Sequence, residues 1–192
     1  MMANKLSSSV VVLISGSGSN LQSIIDNADN IGIKIQSVIS NKADAFGLER
    51  AKKAGIATQV ISHTQFATRE AFDQALIQYI NTLNPKLVIL AGFMRILSAD
   101  FINVFAGKIL NIHPALLPKF KGLNTHQRAI DANEEFAGAT VHFVTNELDS
   151  GAIILQKSVA IESNDTAKSL AAKVLEQEHI LYPMAIKKVL QK

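Results

Sequence analysis

Asn111 and His113 lie two positions apart at the end of an apolar run, and their side chains could stabilise an oxyanion and transfer a proton. If both residues are extended, their side chains point to one face and Ile112 points to the other. An Asn amide can donate a hydrogen bond to a developing oxyanion, and a His can donate or accept a proton near neutral pH. Because no Ser or Cys nucleophile is marked nearby, the pair indicates direct transfer. The alternative is a polar strand end bonded to loop backbone.

Asp149 lies in an Asp-Ser-Gly sequence, which is typical of a turn and is ambiguous by itself. Beside His113, its carboxylate would stabilise an imidazolium. His142 falls in a strand pattern, where a half-buried, hydrogen-bonded His is usual, and His126 and His179 are expected at the surface of helices. Since none of the five His residues has HExxH spacing and Cys is absent, we expect no metal site.

A glycine-rich segment, residues 16–20, separates the apolar run Val10–Ile14 from a helical pattern. Glycines allow a ligand to approach the backbone, and the N–H groups at a helix start attract anions. The pattern is GxGxxL, so the third glycine of a dinucleotide fingerprint is replaced by Leu21, and the Walker lysine is missing. The segment therefore predicts a phosphate site, with an ordinary strand-to-helix turn as the alternative.

Three other charged residues are candidates for binding a ligand. Arg95 is flanked by apolar residues in the segment 93–97, and such a loop could clamp a planar anion. The alternative is a loop packed on the core with Arg95 at the surface. Arg69 opens a helical pattern and Glu178 lies within one, so solvation is the default for both charges.

Alternating strand and helix patterns must position these residues. Strands are predicted at Val10–Ile14, Ile33–Ile39, Ile56–Val60, Leu87–Ala91, Lys108–Ile112, Thr140–Val144 and Ala152–Ile161. Helices are predicted at Leu21–Ala28, Ala45–Ala54, Arg69–Leu83, Ser98–Phe105 and Thr166–Leu181, with an interruption at Pro183 before a last helix. This order predicts an α/β fold, Rossmann-like and three-layered, with a mostly parallel central sheet and a C-terminal antiparallel hairpin. Ligands of such sheets bind beyond the carboxyl ends of the strands.

Length and composition narrow the class of protein further. The 192 residues fit a single domain, 1–192, with a flexible N-terminus at 1–9. The net charge of +3 comes without a dense Lys/Arg cluster, so no nucleic-acid surface is expected. No apolar run approaches the roughly 20 residues of a membrane span, and the absence of Cys suits a reducing compartment. We therefore expect a cytoplasmic protein with no membrane partner.

Several motifs in the same order give the chain a resemblance to a known family. They are VVLISGSGSNL at 11–21, SNKADAFGLERA at 40–51, LAGFMRIL at 90–97, LNIHPALLP at 110–118, TVHFV at 140–144 and ELDSG at 147–151. The chain resembles the phosphoribosylglycinamide formyltransferases, the folate-dependent formyltransferases of purine synthesis, from about Val10 to Pro183. The resemblance implies the formyltransferase fold and transfer of formyl from the cosubstrate 10-formyltetrahydrofolate to the amine of glycinamide ribonucleotide.

The resemblance also implies roles for individual residues. Those that match the ribonucleotide-binding positions are Gly18, Ser19, Asn20 and Glu178. Those that match the folate-binding positions are Arg69, Met94, Arg95, Ile96, Leu97 and Asn111. Asn111, His113 and Asp149 match the catalytic trio, in which Asn111 and protonated His113 stabilise the oxyanion and Asp149 keeps His113 charged. His142 matches a position beside this trio, and a second copy of the chain, as a homodimer, is a candidate partner.

The chain departs from the family pattern at a few positions, which leaves fine substrate contacts open. These positions are Ala115, Asn124, Ser150 and Leu175. Two relatives in reaction type are formyltetrahydrofolate deformylase, which has an extra N-terminal domain, and methionyl-tRNA formyltransferase, which has an added C-terminal domain. The nine residues before the first predicted strand, and the end of the chain soon after the last helix, disfavour both. A nucleotide-binding oxidoreductase, or a non-catalytic binding module, would use the glycine segment without Asn111 or His113.

Overall fold

The computed structural model describes residues 7–191 of the chain. Seven strands hydrogen-bond in the order β3-β2-β1-β4-β5-β6-β7. They are β1 Ser8–Ile14, β2 Ile33–Ser40, β3 Thr58–Val60, β4 Leu87–Leu90, β5 Ile109–His113, β6 Phe136–Phe143 and β7 Ile153–Ala160. The helices are α1 Ser19–Ile31, α2 Phe46–Lys53, α3 Arg69–Leu83, α4 Ala99–Val104, α5 Thr125–Asp131 and α6 Ala167–Leu190. The predicted α/β fold with a mostly parallel sheet is confirmed.

The described chain forms two compact units, one ending at Leu110 and the other beginning at Asn111. The prediction of a single domain over 1–192 stays a prediction. Of its flexible N-terminus, residues 1–6 lie outside the described residues, whereas Ser8 and Ser9 belong to β1.

In the first unit, β3, β2, β1 and β4 pair in parallel. β1 and β4 are buried along nearly their whole length, which explains their continuous apolar sequences. The predicted helix Arg69–Leu83 has the same bounds in the structure, because Thr68 caps its first turn and Asn84 ends it in a left-handed conformation.

In the second unit, β6 and β7 form the predicted antiparallel hairpin. The predicted interruption at Pro183 is wrong, since α6 continues through Pro183 to Leu190. A proline inside a helix loses one backbone hydrogen bond, but here Tyr182, Pro183 and Ile186 are all buried. Tertiary packing therefore maintains the helix at this point.

Candidate active site

The strand β5 presents Asn111 and His113 as the two-residue spacing predicts. Asn111 is half-buried, while Ile112 and His113 are buried, and Pro114 follows directly after the strand. Both polar side chains belong to extended residues and therefore share one face. The backbone carbonyl of His113 also accepts a bond from the Ala115 N–H at 2.9 Å, which turns the chain away from the strand.

His113 and Asp149 form the centre of a polar cluster in the second unit, and Asn111 and His142 lie beside them. His113 Nδ1 lies 3.4 Å from Asp149 Oδ2, and each side chain is 7% exposed. His113 Nε2 donates to the carbonyl oxygen of Phe120 at 2.9 Å. Because both ring nitrogens face acceptors, a hydrogen on each nitrogen would satisfy both contacts, and this is the imidazolium form. The predicted neighbourhood of Asp149 and His113 is therefore present in the structure.

A loop at 120–122 encloses this pair and was not singled out from the sequence. The Gly122 N–H donates to Asp149 Oδ2 at 2.9 Å, and the Phe120 carbonyl accepts from His113. Phe120 has φ of +56°, a left-handed conformation that is rare for a bulky residue. Arg128 holds the loop from outside, since it donates to the Lys121 carbonyl at 2.7 Å and lies 5.4 Å from the Phe120 ring centre. The loop contacts His113 and Asp149 through backbone atoms, so residue types alone give no signal for these two contacts.

His142 orients the amide of Asn111. Its Nδ1 donates to the Phe143 carbonyl at 2.9 Å, which leaves Nε2 as an acceptor 3.4 Å from Asn111 Nδ2. Burial lowers the pKa of His142, against the raising effects of the Phe143 bond and of Asp149. A neutral His142 forms no ion pair with Asp149, although the two lie 3.7 Å apart. The contact with His142 uses one N–H of the Asn111 amide and thereby fixes the direction of the other N–H.

The glycine segment lines a small cavity in the first unit. Helix α1 begins at Ser19, and Gly18 precedes it in a left-handed conformation with φ of 71°. Gly18, the N-cap residue, has no side chain that could cap the helix, and the first turn carries no acidic residue. The cavity has a volume of about 170 Å³ and is lined by residues 15–20 together with Ala91, Gly92 and Met94. An uncapped helix start beside a cavity favours an anion site over an ordinary turn.

Two further residues support the glycine segment, and sequence reasoning did not assign them this role. A Cβ atom built on Gly18 would lie 2.6 Å from Gly47 Cα, so the two backbones touch. The Gly47 N–H also donates to the Gly16 carbonyl at 3.0 Å. Arg50 donates to the Ser17 carbonyl at 2.8 Å and brings a positive charge to this edge of the segment.

The remaining predicted site residues lie on several elements. In the segment 92–97, Met94 and Ile96 are exposed by 68% and 66%, Arg95 is exposed, and Leu97 is buried. Arg69 is the first residue of α3 and pairs with Glu70 at 3.3 Å on the surface. Glu178 lies on α6 and is only 7% exposed, so the default expectation of a solvated carboxylate is wrong for this residue.

His126 differs from its expected surface position. Its side chain is half-buried in α5, and its Nε2 atom is buried without a hydrogen-bond partner among the described residues. Burial, followed by the nearby charge of His113, lowers its pKa. Within residues 7–191, no group of three or more His, Cys, Asp or Glu side chains could hold a metal ion. None of the helices described there is long and apolar enough to cross a membrane.

The fold and the polar cluster define an α/β enzyme suited to acyl transfer, and comparison with known proteins identifies its family. The chain belongs to the formyl transferase family, which matches residues 8–186. It is therefore a transferase, and the resemblance of the sequence to formyltransferases is confirmed.

Individual relatives are similar over most of the chain. The phosphoribosylglycinamide formyltransferase of Escherichia coli (strain K12) is 52% identical over 179 residues, 92% of this chain and 84% of that protein. The crystal structure of phosphoribosylglycinamide formyltransferase from Brucella melitensis has a TM-score of 0.90 at 48% identity and 95% coverage of each chain. That of glycinamide ribonucleotide transformylase 1 from Symbiobacterium toebii has a TM-score of 0.93 at 41% identity, covering 97% of this chain and 89% of that chain.

Proposed function

We propose that this chain transfers a formyl group from 10-formyltetrahydrofolate to the amine of glycinamide ribonucleotide, in de novo purine synthesis. The observation that carries the proposal is the cluster of Asn111, His113 and Asp149, with the His113–Asp149 contact at 3.4 Å. Relatives with this named activity are about half identical to the chain. The proposed location is the cytoplasm, which suits a chain without Cys.

Each member of the cluster has a distinct proposed role. The substrate amine attacks the formyl carbon, and negative charge develops on the formyl oxygen. Asn111 donates a hydrogen bond to this oxygen, and protonated His113, whose two N–H groups face Asp149 and the Phe120 carbonyl, stabilises it through its positive charge. When the tetrahedral intermediate collapses, the bond between the formyl carbon and the folate nitrogen breaks and the folate leaves. Asp149 stabilises the imidazolium, and it assists the movement of the amine proton to the folate nitrogen, through water. His142 acts indirectly, because it fixes one N–H of the Asn111 amide.

The glycine segment is the proposed binding site for the ribonucleotide phosphate. Gly18, Ser19 and Asn20 form the uncapped start of α1 and line the cavity of about 170 Å³. The helix dipole and N–H groups attract the dianion, and Arg50 adds a positive charge nearby. Glu178 is proposed to bind the hydroxyl groups of the ribonucleotide, a use that suits a buried carboxylate better than a solvated one.

The segment 92–97 is the proposed folate site. Met94 and Ile96 expose apolar side chains that can cover a planar ring, and Arg95 and Arg69 offer positive charge to a carboxylated ligand. Leu97 is buried and supports the segment from below. Asn111 is proposed to contact the folate through its formyl group.

The experiment that tests the reaction follows the release of deformylated product by absorbance. Purified protein is mixed with 10-formyl-5,8-dideazafolate, with and without glycinamide ribonucleotide. A signal that requires the ribonucleotide is the expected result. A signal of equal size without it would make water the acceptor, as in a deformylase, and would overturn the proposed transfer. A folded protein that gives no signal in either case would contradict both enzymatic assignments.

Site variants complete the test. Because His113 is proposed to stabilise the oxyanion, His113→Ala is expected to lower kcat by about 10²–10⁴-fold while both substrates still bind. The control is Lys34→Ala, which removes an exposed side chain from β2 in the first unit and is expected to leave kcat within about threefold of the wild type. Asn20→Ala is expected to weaken ribonucleotide binding more than folate binding. Equal weakening of both ligands would contradict a phosphate role for the glycine segment.

A further inference from the structure

The segment 92–97 exposes apolar side chains, so its conformation cannot depend on their burial. Met94 and Ile96 are each about two-thirds exposed, whereas the flanking Phe93 and Leu97 are buried. A segment with exposed apolar side chains gains stability from hiding them and needs other contacts to keep them presented. Such contacts are present at both of its ends.

The first contact is made by Ser15 at the end of β1. Its hydroxyl accepts a hydrogen bond from the Met94 N–H at 2.8 Å and donates one to Asn41 Oδ1 at 2.6 Å. The Asn41 amide nitrogen lies 3.1 Å from His63 Nδ1, which fixes the amide in turn. Ser15 and Asn41 are both buried, so this chain of bonds is shielded from water.

The second contact is made by Asp73, which lies in the second turn of α3. Its Oδ2 accepts a hydrogen bond from the Ser98 N–H at 2.5 Å, and Ser98 in turn caps α4 by accepting from the Phe101 N–H at 3.3 Å. Asp73 is 1% exposed, and its other oxygen, Oδ1, has no hydrogen-bond partner among the described residues. Burial raises the pKa of Asp73 and outweighs the lowering effects of Ser98 and Arg69.

A buried carboxylate with one unpaired oxygen destabilises the fold relative to a neutral side chain. A side chain without polar atoms would avoid this penalty, at the cost of the bond to Ser98. Asp73 is therefore poorly explained by stability alone. Its contact with Ser98, the residue that directly follows the segment 92–97, suggests instead that it serves the segment's function.

We propose that Asp73 is a positioning residue, which holds the segment 92–97 ready for folate by fixing the Ser98 N–H while Ser15 fixes the Met94 N–H. This inference rests on the proposed function. With both ends fixed, the segment loses less conformational freedom when folate binds, and affinity rises without a new contact to the ligand. Removing the Asp73 contact therefore weakens folate binding and leaves ribonucleotide binding and kcat at saturation nearly unchanged.

Binding titrations with 10-formyl-5,8-dideazafolate and with glycinamide ribonucleotide test the proposal. For Asp73→Ala, the expected result is a rise of about ten- to thirtyfold in the Kd and KM for the folate, with the Kd for the ribonucleotide and kcat within about twofold. Asp73→Asn, which keeps an acceptor for Ser98, is expected to recover most of the folate affinity. Asp100→Ala removes an exposed carboxylate from α4 and is the matched control.

Two results would overturn the proposal while leaving the proposed function intact. One is wild-type folate affinity in a folded Asp73→Ala variant, and the other is equal weakening of both ligands, as a purely structural role would give. If the wild-type protein itself does not bind the folate analogue, the proposed function fails instead.

A second measurement on the wild-type protein applies even if Asp73→Ala does not fold. Hydrogen exchange of the amides of residues 92–98 is measured without ligand and with the folate analogue. A segment held in advance has slow Met94 and Ser98 exchange before the ligand is added. Rapid exchange of these two amides that becomes slow only with ligand would contradict the proposal.

Discussion

Asp149→Asn is the sharpest perturbation of the polar cluster, because it removes a charge while keeping the shape of the side chain. The Asn oxygen can occupy the position of Oδ2, where it still accepts from Gly122 at 2.9 Å and contacts His113 at 3.4 Å. The variant is therefore expected to fold, and its effect on turnover isolates the negative charge. Asp149→Ala would also remove the Gly122 bond and test the loop at the same time.

The size of the effect follows from the distance between the charges. Two unit charges 3.4 Å apart interact by about 5 kcal/mol at an effective dielectric constant of about 20. Complete loss of this stabilisation from the transition state would lower kcat by about 4,000-fold. Because the ring and its neighbours can rearrange, the expected decrease is about 10²–10³-fold. Screening by salt is expected to be weak, since each side chain is 7% exposed.

The assay measures kcat by absorbance at saturating 10-formyl-5,8-dideazafolate and ribonucleotide, with Asp29→Asn as the surface control. Binding of both substrates is expected to stay within about threefold of the wild type. A decrease in kcat of less than about tenfold would refute the reasoning, because it would mean that the Asp149 charge is not coupled to the reacting atoms.

Two further predictions concern stability. Gly18→Ala is expected to lower the free energy of unfolding by about 2–4 kcal/mol, since the new Cβ meets Gly47 and φ is positive. Gly32→Ala, where φ is similar and the space is open, is expected to lower this free energy by less, as measured by urea titration. Burial lowers the pKa of His142 and His126 in the folded state from 6.5, so stability is lost as pH falls below that value. The urea concentration at the unfolding midpoint is expected to decrease as the pH is lowered from about 7.5 to about 5.5, and to decrease less in His142→Gln. An equal decrease in the wild type and the variant would contradict the assignment of a lowered pKa to His142.

Periodicity and capping residues were sufficient to predict most of the fold. The bounds of α3 follow from Thr68 and Asn84, whose conformations the sequence specifies locally. The path of α6 through Pro183 could not be predicted, because it depends on burial by distant residues and not on the propensity of proline. The same limit applies to Glu178, whose burial depends on tertiary packing.

The candidate site was predictable where side-chain chemistry and strand spacing coincide. Asn111 and His113 share a face because β5 is extended, and Asp149 was predicted as their partner only conditionally. The backbone groups of Phe120 and Gly122 escaped prediction, since every residue has a carbonyl and nearly every residue has an N–H. Sequence patterns reveal a backbone contact only when it demands an unusual residue type.

Gly18 and Gly47 meet such a demand, and their contact has a consequence for any attempt to redesign the first unit. A Cβ on Gly47 would lie 2.5 Å from Ile14 Cδ1 and 3.2 Å from Gly18 Cα, and a Cβ on Gly18 would meet Gly47 Cα. Since no residue is smaller than glycine, a change at one position has no compensating change at the other. In a combinatorial library, the motif around Gly47 would therefore behave as an inseparable part of the motif around Gly18, although 28 intervening residues separate the two glycines in the chain.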